Sequence, residues 1–375
     1  MTKVKKLKIK SSVIKIFKYI GIIFCILLIL FLFYRHEINV ISKIGYSEDS
    51  SNYILFHNLK KYIQSVGENK TLNAAFSSEY YNPDYLEKYR DIKYVDQEHL
   101  IKNINLLIEK GYSISNINMI LAHGNDDDVC SFAKRDKVKY LEEFYSVSYA
   151  KLRNYDRYIA YSDETGEDDE ETVLIVNLDL DKEDYTDYTD ITEFSYDMLV
   201  NKHRKLSEDF VPNDLVEIEK PYSSSNELYT NKVVLNAFIE MYNAAKNDGY
   251  GIIINSAYRS YEDQVELCDT YSRLYGEDYV KRYVAAPGFS EHQTGLGLDI
   301  GSTSVSIFAN SKEYVWMQDN AYKYGFIMRY PKKYIPYTGI NNEPWHYRYV
   351  GVKIATYMHE NSMSFEEYYA TFLDD

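Results

Sequence analysis

Three short segments in the C-terminal part of the chain combine histidine, carboxylate and arginine side chains in a way that suits metal-assisted hydrolysis. They are SAYRSYEDQ at 256–264, PGFSEHQTGLGLDI at 287–300 and EPWHYRYVG at 343–351. Within them, His292, Asp299 and His346 could supply two imidazoles and one carboxylate. Three protein ligands with a fourth position left for water are typical of a catalytic zinc site, although the same donors also accept other divalent ions.

A carboxylate that could take a proton from a metal-activated water accompanies these ligands. Glu343 lies three residues before His346, and a base close to a ligand is the usual partner of such a water. On a helix the two side chains would share a face, but Pro344 disfavours helix at Glu343. We therefore expect Glu343 on a loop that leads His346 into a strand, and not a helical HExxH site.

Each of these residues alone would be weak support for a metal site. A single histidine in a strand is more often structural than a ligand, and a single aspartate is more often a turn or strand-end carboxylate. The Gly-rich approach to Asp299, occurring together with the Glu343/His346 pair, favours the metal site. The other histidines are interpreted as structural: His36, His57, His99, His123, His203 and His359.

The three segments closely resemble the signature segments of the VanY-type D-alanyl-D-alanine carboxypeptidases, in the same order and with every catalytic polar residue kept. These enzymes belong to a wider family that includes the VanX dipeptidases and shares its fold with hedgehog signalling domains. The resemblance covers about residues 199–373. It implies an α+β fold, a hedgehog/DD-peptidase-like catalytic domain with an antiparallel sheet and flanking helices.

The same resemblance implies roles for individual residues. His292, Asp299 and His346 match the zinc ligands of the family. Glu343 matches the catalytic base, which deprotonates the zinc-bound water and then protonates the departing amine. Arg259 matches the arginine that contacts the scissile carbonyl or the developing oxyanion. A guanidinium suits that role because its donors stay charged and directional.

Four further motif residues are less specific. Gln264, Ser290 and Trp345 are interpreted as substrate-binding residues, with support of the site or packing as the alternative. Gly297 stands where many relatives carry alanine, a departure that puts no catalytic residue in doubt.

The function implied is zinc-dependent removal of the terminal D-Ala from peptidoglycan stem pentapeptides or their lipid-linked precursors. Within enzymes, the alternative is another cut by the same machinery, as a D,D-dipeptidase or an L,D-endopeptidase of peptidoglycan. From a different class, the domain could be a non-catalytic zinc-binding module, as hedgehog domains are. Glu343 and Arg259 beside a complete ligand set argue against that module. The sequence leaves the oligomeric state open.

The N-terminus carries a basic segment followed by an apolar one. Residues 1–35 contain seven lysines, Arg35 and no acid, and the run at 19–34 is uncharged. We predict a cytoplasmic basic tail at 1–12 and a transmembrane anchor at 13–34. A cleaved signal peptide is the alternative, but the run ends without an A-x-A site. Lysines on the N-terminal side place that end in the cytoplasm and the catalytic domain outside the cell membrane.

The remainder of the chain is acidic and is divided by composition. The whole chain, with its basic N-terminus included, has a formal net charge of −15, which argues against a nucleic-acid partner because such a partner would need a basic surface. The predicted regions are a polar stalk at 35–53, a helical region of unknown role at 54–162, an acidic turn with an extended linker region at 163–225, and the zinc D,D-carboxypeptidase domain at 226–375.

Hydrophobic periodicity predicts the secondary structure. Helices are expected at 98–111, 113–121, 138–147 and 149–161, as a stack of helix pairs, and at 231–248, 262–275 and 365–372. Strands are expected at 172–180, 251–256, 296–300, 325–330 and 346–350. Thr230 is the predicted N-cap of the helix at 231–248.

Overall fold

The computed structural model describes residues 11–374, so most of the predicted basic tail at 1–12 lies outside the described residues. The chain divides into two compact units, Met1–Tyr145 and Ser146–Asp375. The division falls earlier than residue 162, where the sequence places the end of the helical region. All three motif segments lie in the second unit.

Within the described residues of the first unit, the regular structure is helical. Its α-helices are α1 (Ser11–Ser42), α2 (Glu48–Phe56), α3 (Lys60–Val66), α4 (Lys70–Phe76), α5 (Leu86–Asp91), α6 (Leu100–Glu109), α7 (Ile114–Ala122), α8 (Asp126–Lys134) and α9 (Leu141–Tyr145).

Helix α1 contains an apolar segment that is long enough to cross a membrane. The candidate span, Lys15–Ser42, has a mean hydropathy of 2.8 and its most apolar stretch is not buried in the protein. A signal sequence near the N-terminus has the same properties, so the helix by itself is compatible with either interpretation.

Most of the predicted polar stalk at 35–53 is helical. Helix α1 continues to Ser42, and α2 begins at Glu48 with Ser47 as its N-cap. Ile38 and Ile41, three residues apart and thus on one helical face, are buried. The polar composition of the segment hides this apolar stripe, which packs into the first unit.

The later helices of the first unit stack in pairs, as the periodicity predicts. Helix α6 contacts α8, and α7 contacts α9. Two hydrogen bonds connect successive pairs, and each joins residues that are 27 positions apart. Gln97 Nε2 donates to the carbonyl of Gly124, and the His99 amide donates to the side chain of Asp126.

The second unit contains nine further α-helices and eight strands among the described residues. The helices are α10 (Tyr155–Thr165), α11 (Asp169–Asn177), α12 (Lys232–Asn247), α13 (Tyr261–Tyr275), α14 (Glu277–Tyr283), α15 (Lys312–Asn320), α16 (Ile335–Thr338), α17 (Val352–Asn361) and α18 (Phe365–Phe372). The strands are β1 (Thr189–Ile191), β2 (Arg204–Leu206), β3 (Leu215–Glu217), β4 (Tyr229–Asn231), β5 (Ile252–Ser256), β6 (Gly297–Ser302), β7 (Phe326–Tyr330) and β8 (Glu343–Tyr349).

Four of the strands form an antiparallel sheet in the order β5-β6-β8-β7. The other four form two small pairs, β1 with β2 in parallel and β3 with β4 antiparallel. The predicted α+β class is confirmed, and so are helices α12, α13 and α18.

One face of the sheet packs on α12, and this leaves the other face for the site. Phe238 and Met241 of α12 join Leu298 and Ile300 of β6 in one buried cluster. Because successive side chains of a strand point to opposite faces, Asp299 lies on the face away from this core. On the neighbouring strand β8, Tyr347 likewise belongs to the core, so His346 and Arg348 point to the same side as Asp299.

Outside the site, the structure corrects two local predictions. The run at 172–180, predicted as a strand, lies mostly in helix α11, which begins after Asp168 caps the Glu171 amide. Three acidic residues in its first turn stabilise the helix through its dipole. The sequence pattern alone could not distinguish the two, because a short buried apolar run fits a helix or a strand. The N-cap of α12 is Asn231, not Thr230, whose hydroxyl instead donates to the carbonyl of Gly295.

Candidate metal centre and catalytic site

The sheet and one short turn bring the three predicted ligands together. Asp299 on β6 lies directly opposite His346 on β8 in the strand register. His292 lies on the short 3-10 turn Glu291–Thr294, which Gly295 ends in the left-handed conformation, just before β6. One donor atom from each residue lies within 4.8 Å of the other two.

The distances between these donors fit a tetrahedral zinc ion. Asp299 Oδ1 is 3.5 Å from His292 Nε2 and 3.2 Å from His346 Nδ1. Zinc–ligand bonds of about 2.0–2.2 Å in tetrahedral geometry separate the ligand atoms by about 3.4 Å. The donor set therefore has the size, as well as the chemistry, that such an ion requires.

The second nitrogen of each imidazole is occupied by a protein acceptor. His292 Nδ1 is 2.6 Å from the carbonyl oxygen of Ala257, and His346 Nε2 is 3.4 Å from Glu291 Oε2. When these nitrogens donate, His292 Nε2 and His346 Nδ1 keep their lone pairs for a metal. Outer hydrogen bonds of this kind fix the tautomer and ring orientation of metal-binding histidines.

Electrostatics at the ligand cluster favour added positive charge. Burial raises the pKa of Asp299, but His292 and His346 outweigh this effect and hold it well below its usual range. Burial lowers the pKa of His346, but hydrogen bonds to Asp299 and Glu291 outweigh burial and raise it to about 9. A site that attracts a proton in this way also suits a divalent cation.

Glu343 lies beside the ligands without belonging to the cluster. Its Oε2 is 3.9 Å from His346 Nδ1, and its side chain is 16% exposed. It is the first residue of β8, opposite Tyr330 of β7, so the predicted loop is wrong at this position, while the absence of a helix at 343–346 is confirmed. Burial, helped by the negative charge of Asp299, raises the pKa of Glu343 to about 7.

Arg259 enters the same cleft from the loop after β5. Its Nη1 donates to Gln264 Oε1 at 2.6 Å, and the Gln264 amide nitrogen donates to the carbonyl of Ala285 at 2.7 Å. Both ends of the Gln264 side chain are therefore held by the protein. The contacts of Gln264, which the sequence suggested as a substrate contact, are those of a residue that positions Arg259.

The cleft around these residues has a volume of about 620 Å³. Ser290 is buried in its wall, and Trp345 is 43% exposed. Aromatic side chains of α13 and α14 form another part of the lining: Tyr271, Tyr279 and Tyr283. All eight predicted site residues contribute to this one cavity.

A buried network of charges that the sequence does not predict lies behind His346. Glu291 Oε1 accepts from Arg329 Nε at 2.8 Å and from Arg348 Nη1 at 3.0 Å, and Arg329 Nη1 donates to Glu366 at 2.9 Å. The side chains of these four residues are fully buried or nearly so. The sequence contains a signal for this network, because Glu291 directly precedes a ligand and Arg329 interrupts a strand of otherwise apolar or aromatic residues.

Replacing Glu291 by alanine is expected to destabilise the second unit by about 3–5 kcal/mol, because two buried arginines would lose a shared partner. The zinc affinity should also fall, by about 10–100-fold, since His346 would lose its outer acceptor. Urea unfolding and competition with a zinc-binding dye would measure the two effects. The matched control is Glu360→Ala on the exposed side of α17. Unchanged stability in Glu291→Ala would contradict the role of the network.

The chain is similar to known proteins over the region that contains this site. A family model described as D-alanyl-D-alanine carboxypeptidase (VanY) matches residues 227–352. The Bacillus subtilis protein YodJ is 42% identical over 179 residues, which are 46% of this chain and 66% of YodJ. The bifunctional D-Ala-D-Ala dipeptidase and D-Ala-D-Ala carboxypeptidase VanXYC of Enterococcus gallinarum is 31% identical over 178 residues, covering 46% of this chain and 92% of that protein.

Among solved structures, a D,D-pentapeptidase VanY from a VanB-type resistance cassette, in complex with Zn(II), is 32% identical and matches 46% of this chain and 99% of its own, with a TM-score of 0.41. The chain spans about half to two thirds of the length of YodJ and of two enterococcal D-alanyl-D-alanine carboxypeptidases.

Proposed function

The chain belongs to the VanY family of D-alanyl-D-alanine carboxypeptidases, and we propose that it is a zinc-dependent enzyme that removes the terminal D-Ala from peptidoglycan stem pentapeptides or their lipid-linked precursors. The observation that carries the proposal is the convergence of His292, Asp299 and His346 with Glu343 and Arg259 in a single cleft. Three ligands alone would suit a structural metal; the buried acid and the arginine add the groups that hydrolysis needs.

Zinc held by His292, Asp299 and His346 would supply a Lewis acid that polarises the peptide carbonyl and lowers the pKa of water. Glu343 accepts a proton from the water that attacks the carbonyl of the penultimate D-Ala. It then passes the proton to the amine of the terminal D-Ala as the peptide bond breaks. Its position next to His346, outside the ligand cluster, leaves the carboxylate free to do this.

Arg259 stabilises the oxyanion that develops on the substrate carbonyl. Its guanidinium is held by Gln264, and directed donors of this kind cost no reorganisation during the reaction.

The lysine variant Arg259→Lys is expected to lower kcat by about 10²–10³-fold, because a single ammonium cannot reproduce the fixed guanidinium. Steady-state kinetics and zinc content would be compared with Arg273→Lys, a surface substitution on α13. A wild-type kcat in Arg259→Lys would contradict the assignment.

The position of the cut distinguishes the proposed activity from its enzymatic alternatives. The full chain would be incubated separately with a muramyl pentapeptide ending in D-Ala-D-Ala, the corresponding tetrapeptide, and free D-Ala-D-Ala. Shortening of the pentapeptide by one alanine is the expected result. Cleavage of the free dipeptide alone would identify a D,D-dipeptidase, and cleavage of the tetrapeptide alone an L,D-peptidase. A folded, zinc-loaded protein that cleaves none would favour the non-catalytic zinc module.

The N-terminal helix is proposed to be an uncleaved anchor, with the basic end in the cytoplasm and the catalytic domain outside the cell membrane. Support comes from the continuity of α1, whose C-terminal part packs into the first unit through Ile38 and Ile41. Arg35 also pairs with Glu48 of α2 at 2.8 Å. Cleavage after the apolar run would separate the N-terminal part of α1 from the C-terminal part, which packs in the first unit. This location would place the enzyme beside peptidoglycan and its lipid-linked precursors.

A further inference from the structure

Helix α2 runs back along α1 toward its apolar segment. Near the start of α2, Glu48 pairs with Arg35 at 2.8 Å, and one turn further Asn52 accepts a hydrogen bond from Tyr34 at 2.5 Å. At the end of α2, the lining of one groove includes Leu30 and Phe33 of α1. Residues later in α2 therefore lie beside residues earlier in α1, as in an antiparallel pair.

The opposite wall of that groove is the turn at the end of α2, residues 55–58, here named the Phe56 turn. Leu55, Phe56 and His57 of this turn line the groove together with Leu30 and Phe33, while Glu37 and Asp49, which lie toward the other end of the helix pair, also contribute to its lining. Phe56 is 86% exposed, the highest value among the exposed large hydrophobic residues in the described part of the chain. An aromatic ring this exposed, next to an apolar groove, is unfavourable in water and favourable in an apolar phase.

The Phe56 turn is held in place by its own contacts. The His57 ring stacks on Tyr53 with centroids 4.0 Å apart, and Tyr53 stacks on Phe76 of α4 at 5.4 Å. The amide of Leu59 donates to the carbonyl of Ile54, which closes the turn. Phe56, whose ring meets that of His57 edge-on at 5.2 Å, is thus presented on an ordered turn.

The level of the turn relative to a membrane follows from the length of the apolar run. At 1.5 Å per residue, the uncharged run 19–34 extends about 24 Å, less than the roughly 30 Å hydrocarbon thickness. A spanning α1 must therefore keep this whole run in the bilayer, including Leu30 and Phe33 near its outer end. The Phe56 turn, beside those two residues, would reach the same depth.

We propose that the Phe56 turn is a second membrane contact, in which Phe56 inserts into the outer leaflet and phospholipid acyl chains fill the groove between the turn and α1. The occupant is lipid because one wall of the groove is the apolar helix itself, which is surrounded by acyl chains wherever it crosses the bilayer. Phe, Trp and Leu side chains of membrane-surface segments insert at the boundary between headgroups and acyl chains. The contact would fix the tilt of the first unit on the membrane. It rests on the proposed anchor and is independent of the peptidase activity.

The test uses the full chain in phosphatidylcholine vesicles whose acyl chains carry bromine, a short-range quencher of tryptophan. Phe56→Trp is compared with Tyr140→Trp, an exposed position in the loop before α9, and with Phe24→Trp in the middle of the apolar run. The emission of Trp316 and Trp345 in the parent chain is subtracted. Circular dichroism verifies that each variant is folded.

Insertion predicts that the tryptophan of Phe56→Trp emits at shorter wavelength than that of Tyr140→Trp, is quenched by brominated lipid and is protected from aqueous iodide. Quenching of Phe24→Trp but not of Phe56→Trp would overturn the second contact and leave the anchor intact. Quenching of neither would overturn both. Protection of Phe56→Trp from iodide without quenching by lipid would show that protein, such as a second copy of the chain, covers the turn, and would also overturn the proposal.

Discussion

Replacing Glu343 by glutamine is expected to lower kcat for pentapeptide hydrolysis by about 10²–10⁴-fold, the usual contribution of a general acid–base residue. Glutamine keeps the size of the side chain but cannot accept a proton from water or return one to the amine. Because Glu343 lies outside the cluster of His292, Asp299 and His346, the variant should bind zinc as the parent does. Steady-state kinetics and metal analysis of the same preparation would measure both quantities.

The matched control for this variant is Glu360→Gln, which makes the same chemical change on the surface of α17. It should retain the parental kcat. If Glu343→Gln remained fully active, another group would have to transfer the proton, and the assignment of Glu343 would be wrong. If it lost both activity and zinc, Glu343 would belong among the ligands.

Replacing His346 by alanine is expected to abolish both zinc binding and activity. The substitution removes the donor atom that lies 3.2 Å from Asp299 and leaves only two ligands for the metal. Loss of an outer hydrogen-bond partner lowers the affinity for a metal by about 10–100-fold. Loss of a ligand should lower the affinity for zinc by more than this. Competition with a zinc-binding dye would give the affinity, and product analysis would give the activity.

His359→Ala is the corresponding control, since His359 lies on α17 and stacks on Tyr322, away from the ligand cluster. It should bind zinc and turn over substrate as the parent does. Full zinc affinity in His346→Ala would contradict the proposed ligand set. Loss of zinc in both variants would indicate a general effect on folding, which thermal unfolding of the metal-free proteins would reveal.

Much of the catalytic domain could be predicted because its signals are local. Strands β5, β6, β7 and β8 and helices α12, α13 and α18 follow the predicted hydrophobic patterns, and the α+β class is confirmed. The ligand set could be identified only because three motifs occur in a fixed order. The roles of its residues stay predictions. Sequence could not show that Asp299 lies opposite His346, since that pairing depends on strand register.

The parts that could not be predicted depend on contacts between distant residues. Glu291 meets Arg329 and Arg348 across 38 and 57 residues, and the position of an arginine in a strand does not show which distant acid it pairs with. The segment of helix α11 is predicted as a strand because its apolar residues show no periodicity that distinguishes a buried helix from a buried strand. The segment at 35–53 looked polar because its apolar face consists of isolated residues such as Ile38 and Ile41.

Whether the chain hydrolyses a stem pentapeptide can be decided by mass spectrometry of a muramyl pentapeptide incubated with the full, zinc-loaded chain in detergent micelles. We expect a product shorter by one alanine, formed with zinc, lost on chelation, restored by added zinc, and nearly absent with Glu343→Gln. A folded protein that binds zinc at His292, Asp299 and His346 yet leaves the pentapeptide intact would contradict the proposed activity.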